Sequence, residues 1–240
     1  MCNGCYGCLL SIYTVKAGTG EEEERAQVLA DALLSLLSKD DRRRAELLFQ
    51  TAERRAERLS PEGLRFIASA EHIASQLQAD PQLEWSGAII GLCKAVEVEV
   101  AHRIFRPLAT RLSQSDLSRD LDDKDLARIA AFCADPRRKP PELGTFAHFL
   151  QTAIHSQKRR QTSVLLGIFL RLLADYVGSD WLLNPNGFYK ALVTLLSEFR
   201  NRAAHIDELG KEEYAACREL VIGREGALWQ LTLATQPHKR

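Results

Sequence analysis

The chain has 240 residues, which is long enough for one large domain or two small domains with a buried core. Apolar residues make up 45% of it and charged residues 27%, proportions that are ordinary for a globular protein. Its 32 lysines and arginines balance 32 aspartates and glutamates, so no global field attracts nucleic acid or an anionic membrane, and any contact with RNA has to be local.

The first segment of the chain has little periodicity, and we predict a disordered or irregular tail over residues 1–20. It contains Cys2, Cys5 and Cys8 in a C-x2-C-x2-C run. An iron–sulfur cluster of this type would need a fourth cysteine where the chain has Ile12, and a closed zinc site would need a ligand from elsewhere. The three thiols are therefore weak metal candidates, and we predict no cofactor.

Helical periodicity follows the tail and predicts an N-terminal helical region over residues 21–134. Within it, Ser60 followed by Pro61 is typical of a helix start. The longest pattern covers about residues 83–112, where apolar residues recur every three or four positions and form one stripe. The residues of this stripe are Trp85, Ile89, Leu92, Val96, Val100, Ile104 and Leu108.

Two charged residues, Glu99 and Arg103, fall inside this apolar stripe and are four residues apart. Charges on a buried face are costly unless they are satisfied. Either they form an ion pair within the helix at the edge of the core, or they contact a partner subunit or the segment from Arg200 to His205. Glu97 lies at the margin of the same face and is a weaker candidate for such a supporting role.

A proline-rich segment at residues 135–141 cannot be helical at its prolines and is the best candidate for a domain boundary. Beyond it, periodicity predicts helices over about 142–157, 162–177, 186–204, 211–222 and 226–233. No strand alternation of useful length occurs. We therefore predict an all-α, helix-bundle protein, in which residues 141–240 form a bundle of their own or pack as one domain with residues 83–134.

The remaining polar motifs argue against several classes of function. There is no HExxH spacing for a metallohydrolase and no glycine-rich phosphate loop for nucleotide hydrolysis. His148 and His155 share a helix face and are predicted to be half-buried packing residues. The basic clusters are interpreted as solvated helix ends or loops; they lie at residues 42–44, 137–139, 158–160 and 238–240.

The chain also lacks the features of a membrane or secreted protein. No apolar run approaches the roughly 20 residues that span a bilayer, and the first residues lack the basic region of a signal peptide. We therefore predict a cytoplasmic protein with no membrane partner. Its six cysteines are expected to be reduced thiols, with Cys93, Cys133 and Cys217 buried or partly buried in helices.

The run from Glu198 to His205, with the sequence EFRNRAAH, closes a predicted helix with arginine, asparagine and histidine. The guanidinium fork suits phosphate, and the imidazole exchanges a proton near neutral pH, so the pair suits phosphodiester cleavage. On a straight helix Arg200 and His205 would point about 140° apart. They would converge only if the helix ends around Ala204 or if two copies share the site. Alternatively, the cations only complement the helix dipole.

The spacing Arg-Asn-x-x-x-His, in a helical context from about residue 141 to 234, resembles the signature of the HEPN family. These helical domains include many metal-independent ribonucleases of prokaryotic defence and toxin systems. The resemblance implies a HEPN-like bundle within residues 141–240 that bears the motif. It also implies RNA as the substrate and a homodimer in which the two motif helices form one composite cleft.

The resemblance further assigns roles to individual residues. Arg200 would bind the scissile phosphate, His205 would act as general acid or base, and Asn201 would orient the phosphate or the histidine. Arg202, within the same motif, is a candidate for a supporting role. The RNA 2′-hydroxyl would be the nucleophile, so an endoribonuclease of this type needs no metal and leaves a cyclic phosphate.

Many relatives of this family are noncatalytic binding modules. The alternative function is therefore a noncatalytic helical adaptor or binding subunit in a larger defence or signalling complex. Its partner would be another protein, such as an antitoxin or a sensor subunit.

Overall fold

The structure is a computed structural model that describes residues 22–35, 39–78, 84–205 and 208–238. Within these ranges the chain is helical and forms no β-strand, apart from one isolated antiparallel bridge between Tyr176 and Pro237. The prediction of an all-α protein is confirmed.

The α-helices are named here in chain order. The first eight are α1 Glu22–Ser35, α2 Lys39–Ala52, α3 Pro61–Leu77, α4 Ser86–Val100, α5 Arg106–Leu112, α6 Ser118–Asp122, α7 Ala127–Ala134 and α8 Leu143–His155. The others are α9 Gln157–Thr162, α10 Val164–Ala174, α11 Ser179–Leu183, α12 Phe188–Thr194, α13 Asn201–Ala204, α14 Lys211–Ile222 and α15 Ala227–Ala234. A 3₁₀ helix covers Arg54–Arg58, and π-helical segments cover Ala101–Phe105 and Leu195–Arg200.

The predicted long helix runs from α4 through the π-helical segment Ala101–Phe105 to the end of α5, and all seven residues of its apolar stripe are buried. Pro107 explains the local departure from α-helical geometry. Its ring nitrogen has no hydrogen for the carbonyl of Arg103, four residues earlier. The Tyr176 hydroxyl donates to that carbonyl instead, at 2.8 Å.

The chain forms two compact units, and neither is continuous in sequence. The first comprises Met1–Val98 with Thr194–Gly226, and the second comprises Glu99–Val193 with Ala227–Arg240. The proline-rich segment at 135–141, where the sequence analysis divides the chain, lies inside the second unit. Proline ends a helix locally, whereas the packing of helices that are distant in sequence determines a compact unit.

In the first unit, α3 packs against α2, and α14 contacts both α3 and Trp85, the residue before α4. Ser60 caps α3 by accepting the backbone N–H of Gly63 at 3.0 Å, as the Ser-Pro signal predicts. The ring of Trp85 packs on Tyr214, with ring centroids 5.2 Å apart. These contacts fix α14 beside the residues that precede α4.

The second unit has an aromatic core. Its fully or nearly fully buried phenylalanines are Phe105, Phe132, Phe146, Phe149, Phe169 and Phe188. Phe146 contacts three of the others, with centroid distances of 5.2 Å to Phe105, 6.5 Å to Phe149 and 6.1 Å to Phe188. The apolar residues of α8 and α10 recur at helical spacing, which brings these rings to one side of each helix.

Candidate functional site

The helix that carries the predicted motif ends where the motif does. After the π-helical segment Leu195–Arg200, a single α-helical turn covers Asn201–Ala204, and His205 is its C-cap with an extended backbone (φ −94°, ψ −170°). The backbone N–H of His205 still donates to the Asn201 and Arg202 carbonyls, both at 3.1 Å. The helix therefore ends at Ala204, but the extended ψ of His205 redirects only the chain that follows it, so the Arg200 and His205 side chains still leave the helix at widely different angles.

Arg200 and His205 have opposite burial. Arg200 is only 5% exposed, whereas His205 is exposed. An arginine keeps its charge in any protein environment, so the segment combines a buried permanent cation with an imidazole open to solvent. A buried charge acts through a lower dielectric than a surface charge and therefore acts more strongly on nearby groups.

Asn201 and Arg202 lie beside this pair. The Asn201 Oδ1 atom is 3.4 Å from Arg200 Nη1, which leaves the Asn201 amide nitrogen as the donating end of that side chain. Arg202 is half-buried and points to Glu213, with Nη2 and Oε1 4.0 Å apart. The structure thus brings Arg200 and Asn201 into contact and directs Arg202 towards α14.

Glu213 and Leu209 position the chain that follows the motif, and the sequence analysis did not single out either residue. The Glu213 carboxylate accepts the backbone N–H of Gly210 at 3.0 Å, a capping interaction at the start of α14. Leu209 is buried, and its carbonyl accepts the backbone N–H of Trp85 at 3.0 Å. A glycine followed three residues later by glutamate is the one sequence signal that points to the Glu213 contact.

A polar network holds α14 to α3 in the same unit. The Tyr214 hydroxyl donates to the Glu71 carboxylate, and Arg218 Nε donates to the same carboxylate at 2.9 Å. Burial, reinforced by the charge of Glu71, raises the pKa of Tyr214 above its ordinary value. The hydroxyl therefore stays protonated and remains a donor.

The supporting candidates Glu97, Glu99 and Arg103 make ion pairs within their own helix. In the first unit, half-buried Lys94 pairs with Glu97, which is 9% exposed. In the second unit, Arg103 Nε lies 2.5 Å from the Glu99 carboxylate, and Glu99 is completely buried. The ion pair between Glu99 and Arg103 is the first of the two alternatives that their spacing predicted.

The cysteines and acidic groups of the described ranges offer no metal site, since no three His, Cys, Asp or Glu side chains there could hold an ion together. Cys2, Cys5 and Cys8 lie outside the described residues. Cys93, Cys133 and Cys217 are buried free thiols, as predicted. Burial raises the pKa of Cys133 to about 12, so this thiol is unreactive at neutral pH.

The prediction that His148 and His155 are half-buried packing residues is wrong. The His148 side chain is 54% exposed and its Nε2 atom lies 3.1 Å from Asp125 Oδ1. His155 is exposed at the end of α8. Both histidines are close in sequence to buried phenylalanines, but successive residues of a helix point about 100° apart, so sequence neighbours do not share a face.

Comparisons of the chain with protein-family models, with curated proteins and with solved structures found no match. Among the residues that the structure describes, none of the helices combines the length and the apolar character that crossing a membrane requires. Any statement about activity therefore depends on the geometry and chemistry of the chain's own residues.

Proposed function

We propose that this protein is a metal-independent endoribonuclease of the HEPN type, acting in a prokaryotic defence or toxin system. One observation carries the proposal: a buried arginine, an asparagine in contact with it and an exposed histidine occupy the last turn of one helix, which ends at Ala204. These are the groups that phosphodiester cleavage by an internal hydroxyl requires.

Each group has a chemical role in this proposal. His205, open to solvent, takes the proton of the RNA 2′-hydroxyl, whose oxygen then attacks the adjacent phosphorus. Arg200 stabilises the negative charge that develops on the phosphate, and its burial strengthens that effect. The amide nitrogen of Asn201, whose oxygen is turned to Arg200, donates a hydrogen bond to a phosphate oxygen.

Proton balance supports a site built from two copies of the chain. Attack by the 2′-oxygen forms a cyclic phosphate and releases a 5′-oxygen, which must gain a proton as its bond to phosphorus breaks. One histidine removes the first proton and another supplies the second. Each chain contributes one His205 to the motif, so two chains related by a twofold axis would provide both groups.

A noncatalytic adaptor is the second candidate function, and the burial of Arg200 favours it. A guanidinium that is 5% exposed also serves as an internal structural cation, with the polar end of the helix left to bind another protein. The two functions differ in what His205 does. An adaptor needs no proton transfer there, because His205 would contribute at most a surface contact.

The deciding experiment is an RNA cleavage assay that compares the parent chain with His205→Ala. The control variant is His102→Ala, which removes another exposed histidine. Loss of a general acid or base lowers the rate by roughly 10²–10⁴-fold, so we expect that loss for His205→Ala and an unchanged rate for His102→Ala. Cleavage should leave a cyclic phosphate and should persist in EDTA, because the substrate hydroxyl is the nucleophile.

Circular dichroism should show that both variants are folded. Full activity of a folded His205→Ala variant would exclude the enzyme and leave the adaptor. Mixing His205→Ala protein with parent protein tests the two-copy site, because mixed dimers would lower the activity per parent chain. A monomer that cleaves RNA at full rate would contradict the composite site.

A further inference from the structure

An exposed pair of aromatic rings lies on the second unit, away from any role assigned above. His155, the last residue of α8, contacts Tyr189 near the start of α12, with ring centroids 6.5 Å apart and the planes at 78°. His155 is exposed and Tyr189 is half-buried. This partly exposed ring contact differs from the phenylalanine contacts of the same unit, which are buried.

Three cations lie within five residues of His155 or Tyr189 in sequence. Lys158 and Arg160 lie on α9, a helix with no buried residue, and Lys190 follows Tyr189 directly. All three side chains are exposed, and none forms an ion pair with another residue in the part of the chain that the structure describes. Lys158 is three residues after His155, so their Cα atoms are within about 11 Å of each other.

Arg159 holds α9 in place, although this helix has no buried residue. Its guanidinium pairs with Asp123 at 2.8 Å and with Asp125 at 2.5 Å. These contacts neutralise Arg159 and anchor α9 to the preceding part of the unit. Its neighbours Lys158 and Arg160 remain uncompensated and are presented by a fixed helix.

Two of the other basic clusters, at residues 137–139 and 42–44, lack this combination. At residues 137–139, Arg137 and Arg138 pair with Asp135, and Lys139 pairs with Glu142. Residues 42–44 follow two aspartates in sequence, and none of the ring contacts found among the described residues lies beside them. Uncompensated cations and exposed rings therefore coincide at α9 and Tyr189, a surface that we call the α9 surface.

We propose that the α9 surface binds single-stranded RNA, with one base stacked on the ring of His155, another on the ring of Tyr189, and phosphates neutralised by Lys158, Arg160 and Lys190. Stacking on aromatic rings beside cations is how proteins bind single strands without sequence preference. The inference rests on the proposed function only for the choice of RNA as ligand. It adds a place where the strand is held outside the Arg200–His205 segment.

The test is binding of a fluorescent 2′-O-methyl oligouridine to the full chain, measured by anisotropy over a range of salt concentrations. The probe lacks the 2′-hydroxyl, so it is not cleaved and binding is measured independently of catalysis. We expect Tyr189→Ala and His155→Ala to weaken binding about 5-fold to 150-fold, the usual cost of one lost stack. Because His155 is exposed, His155→Ala protein should remain folded. It therefore tests the stacking even if Tyr189→Ala, which changes a half-buried residue, destabilises the fold.

Charge is tested with two matched triple variants. Lys158→Gln, Arg160→Gln and Lys190→Gln together should reduce the slope of log K against log salt by about 2, since each phosphate contact on a single strand contributes about 0.7. The control, Arg137→Gln with Arg138→Gln and Lys139→Gln, removes the same net charge from ion-paired residues. It should leave both the affinity and the slope unchanged.

Several outcomes would overturn the inference. The inference fails if the parent chain does not bind the probe, or if His155→Ala protein binds it as tightly as the parent does. It also fails if the control triple variant loses as much affinity as the triple variant of Lys158, Arg160 and Lys190. Displacement of the probe by polyglutamate as readily as by unlabelled oligouridine would identify a surface for acidic protein instead. If the parent binds through these residues but cleaves no RNA, the α9 surface stands and the proposed enzyme fails.

Discussion

The segment Leu195–His205 and the α9 surface both combine arginine with histidine, yet they differ in which group meets solvent. In the first, Arg200 is buried and only His205 is exposed. In the second, Arg160 and His155 are both exposed, and the arginine that is tied down is Arg159. The same residue types therefore suit two tasks, chemistry on one phosphate and retention of a strand.

Burial determines which property of the arginine matters. A cation surrounded by protein acts through a low dielectric, and the geometry of its donors is fixed by its neighbours. A cation at the surface is screened over about 10 Å at 0.1 M salt, so mainly its charge contributes. Three predictions test this contrast, and they follow in order of expected effect.

The largest effect is expected from arginine-to-lysine exchange at the two places. Arg200→Lys should lower RNA cleavage by about 10²–10³-fold, because a point charge does not reproduce the donors that stabilise the transition state. Arg160→Lys should change cleavage by less than about twofold, because phosphate neutralisation depends on charge alone. Single-turnover rates on a labelled RNA measure both. Equal sensitivity at the two positions would contradict the contrast.

A smaller effect is expected on stability when the paired and unpaired arginines of α9 are compared. Arg159→Gln removes the guanidinium from Asp123 and Asp125, of which Asp125 keeps its contact with His148. It should lower the free energy of unfolding by about 1 kcal/mol, the upper range for a partly exposed ion pair. Arg160→Gln should stay within about 0.5 kcal/mol of the parent. Urea unfolding, followed by circular dichroism, measures the free energy of unfolding of both variants. A larger loss of stability for Arg160→Gln than for Arg159→Gln would show that the Arg160 charge is paired in the fold.

The smallest effect is expected on the pH dependence of stability. The hydrogen bond from Arg159 lowers the pKa of Asp123 below its usual 3.8. A carboxyl with a depressed folded pKa stabilises the protein above its unfolded pKa, and that stabilisation is lost as the pH falls through the folded value. The stability difference between parent and Arg159→Gln should therefore be constant above about pH 5 and should shrink below about pH 4.

Urea unfolding of both proteins across that range measures this difference. Arg160→Gln serves as the reference, since it leaves the ion pair to Asp123 intact. A difference that grew on acidification would mean that Arg159 stabilises the fold by some means other than its pairing with the carboxylates.

Local sequence signals predicted the helices well. Ser60 and Pro61 start α3 with the expected cap, and the apolar stripe from Trp85 to Leu108 is buried throughout. The predicted helix over 211–222 matches α14. These predictions succeed because caps and periodicity depend on residues within one or two turns of each other. The assignment of Arg200, Asn201 and His205 to RNA cleavage stays a prediction.

Other features could not be predicted because they depend on residues distant in sequence. Residues 113–124 are polar and charge-rich, yet they contain α6 with the buried Asp120, whose carboxylate accepts the backbone N–H of Leu165 at 3.1 Å. The π-helical segment at Ala101–Phe105 is accommodated by Tyr176, which lies far along the chain. Local propensity contains no information about such partners.

Local sequence patterns are enough to establish that this protein is helical, where its helices lie and which helix ends in Arg200, Asn201 and His205. An α-helix closes hydrogen bonds between residues four apart, so its signals are local and can be recognised in one dimension. The packing of distant segments buries Arg200, leaves His205 exposed and brings Tyr189 into contact with His155. Burial and ring contacts arise between residues that are far apart in sequence, so they are set by packing rather than by local pattern.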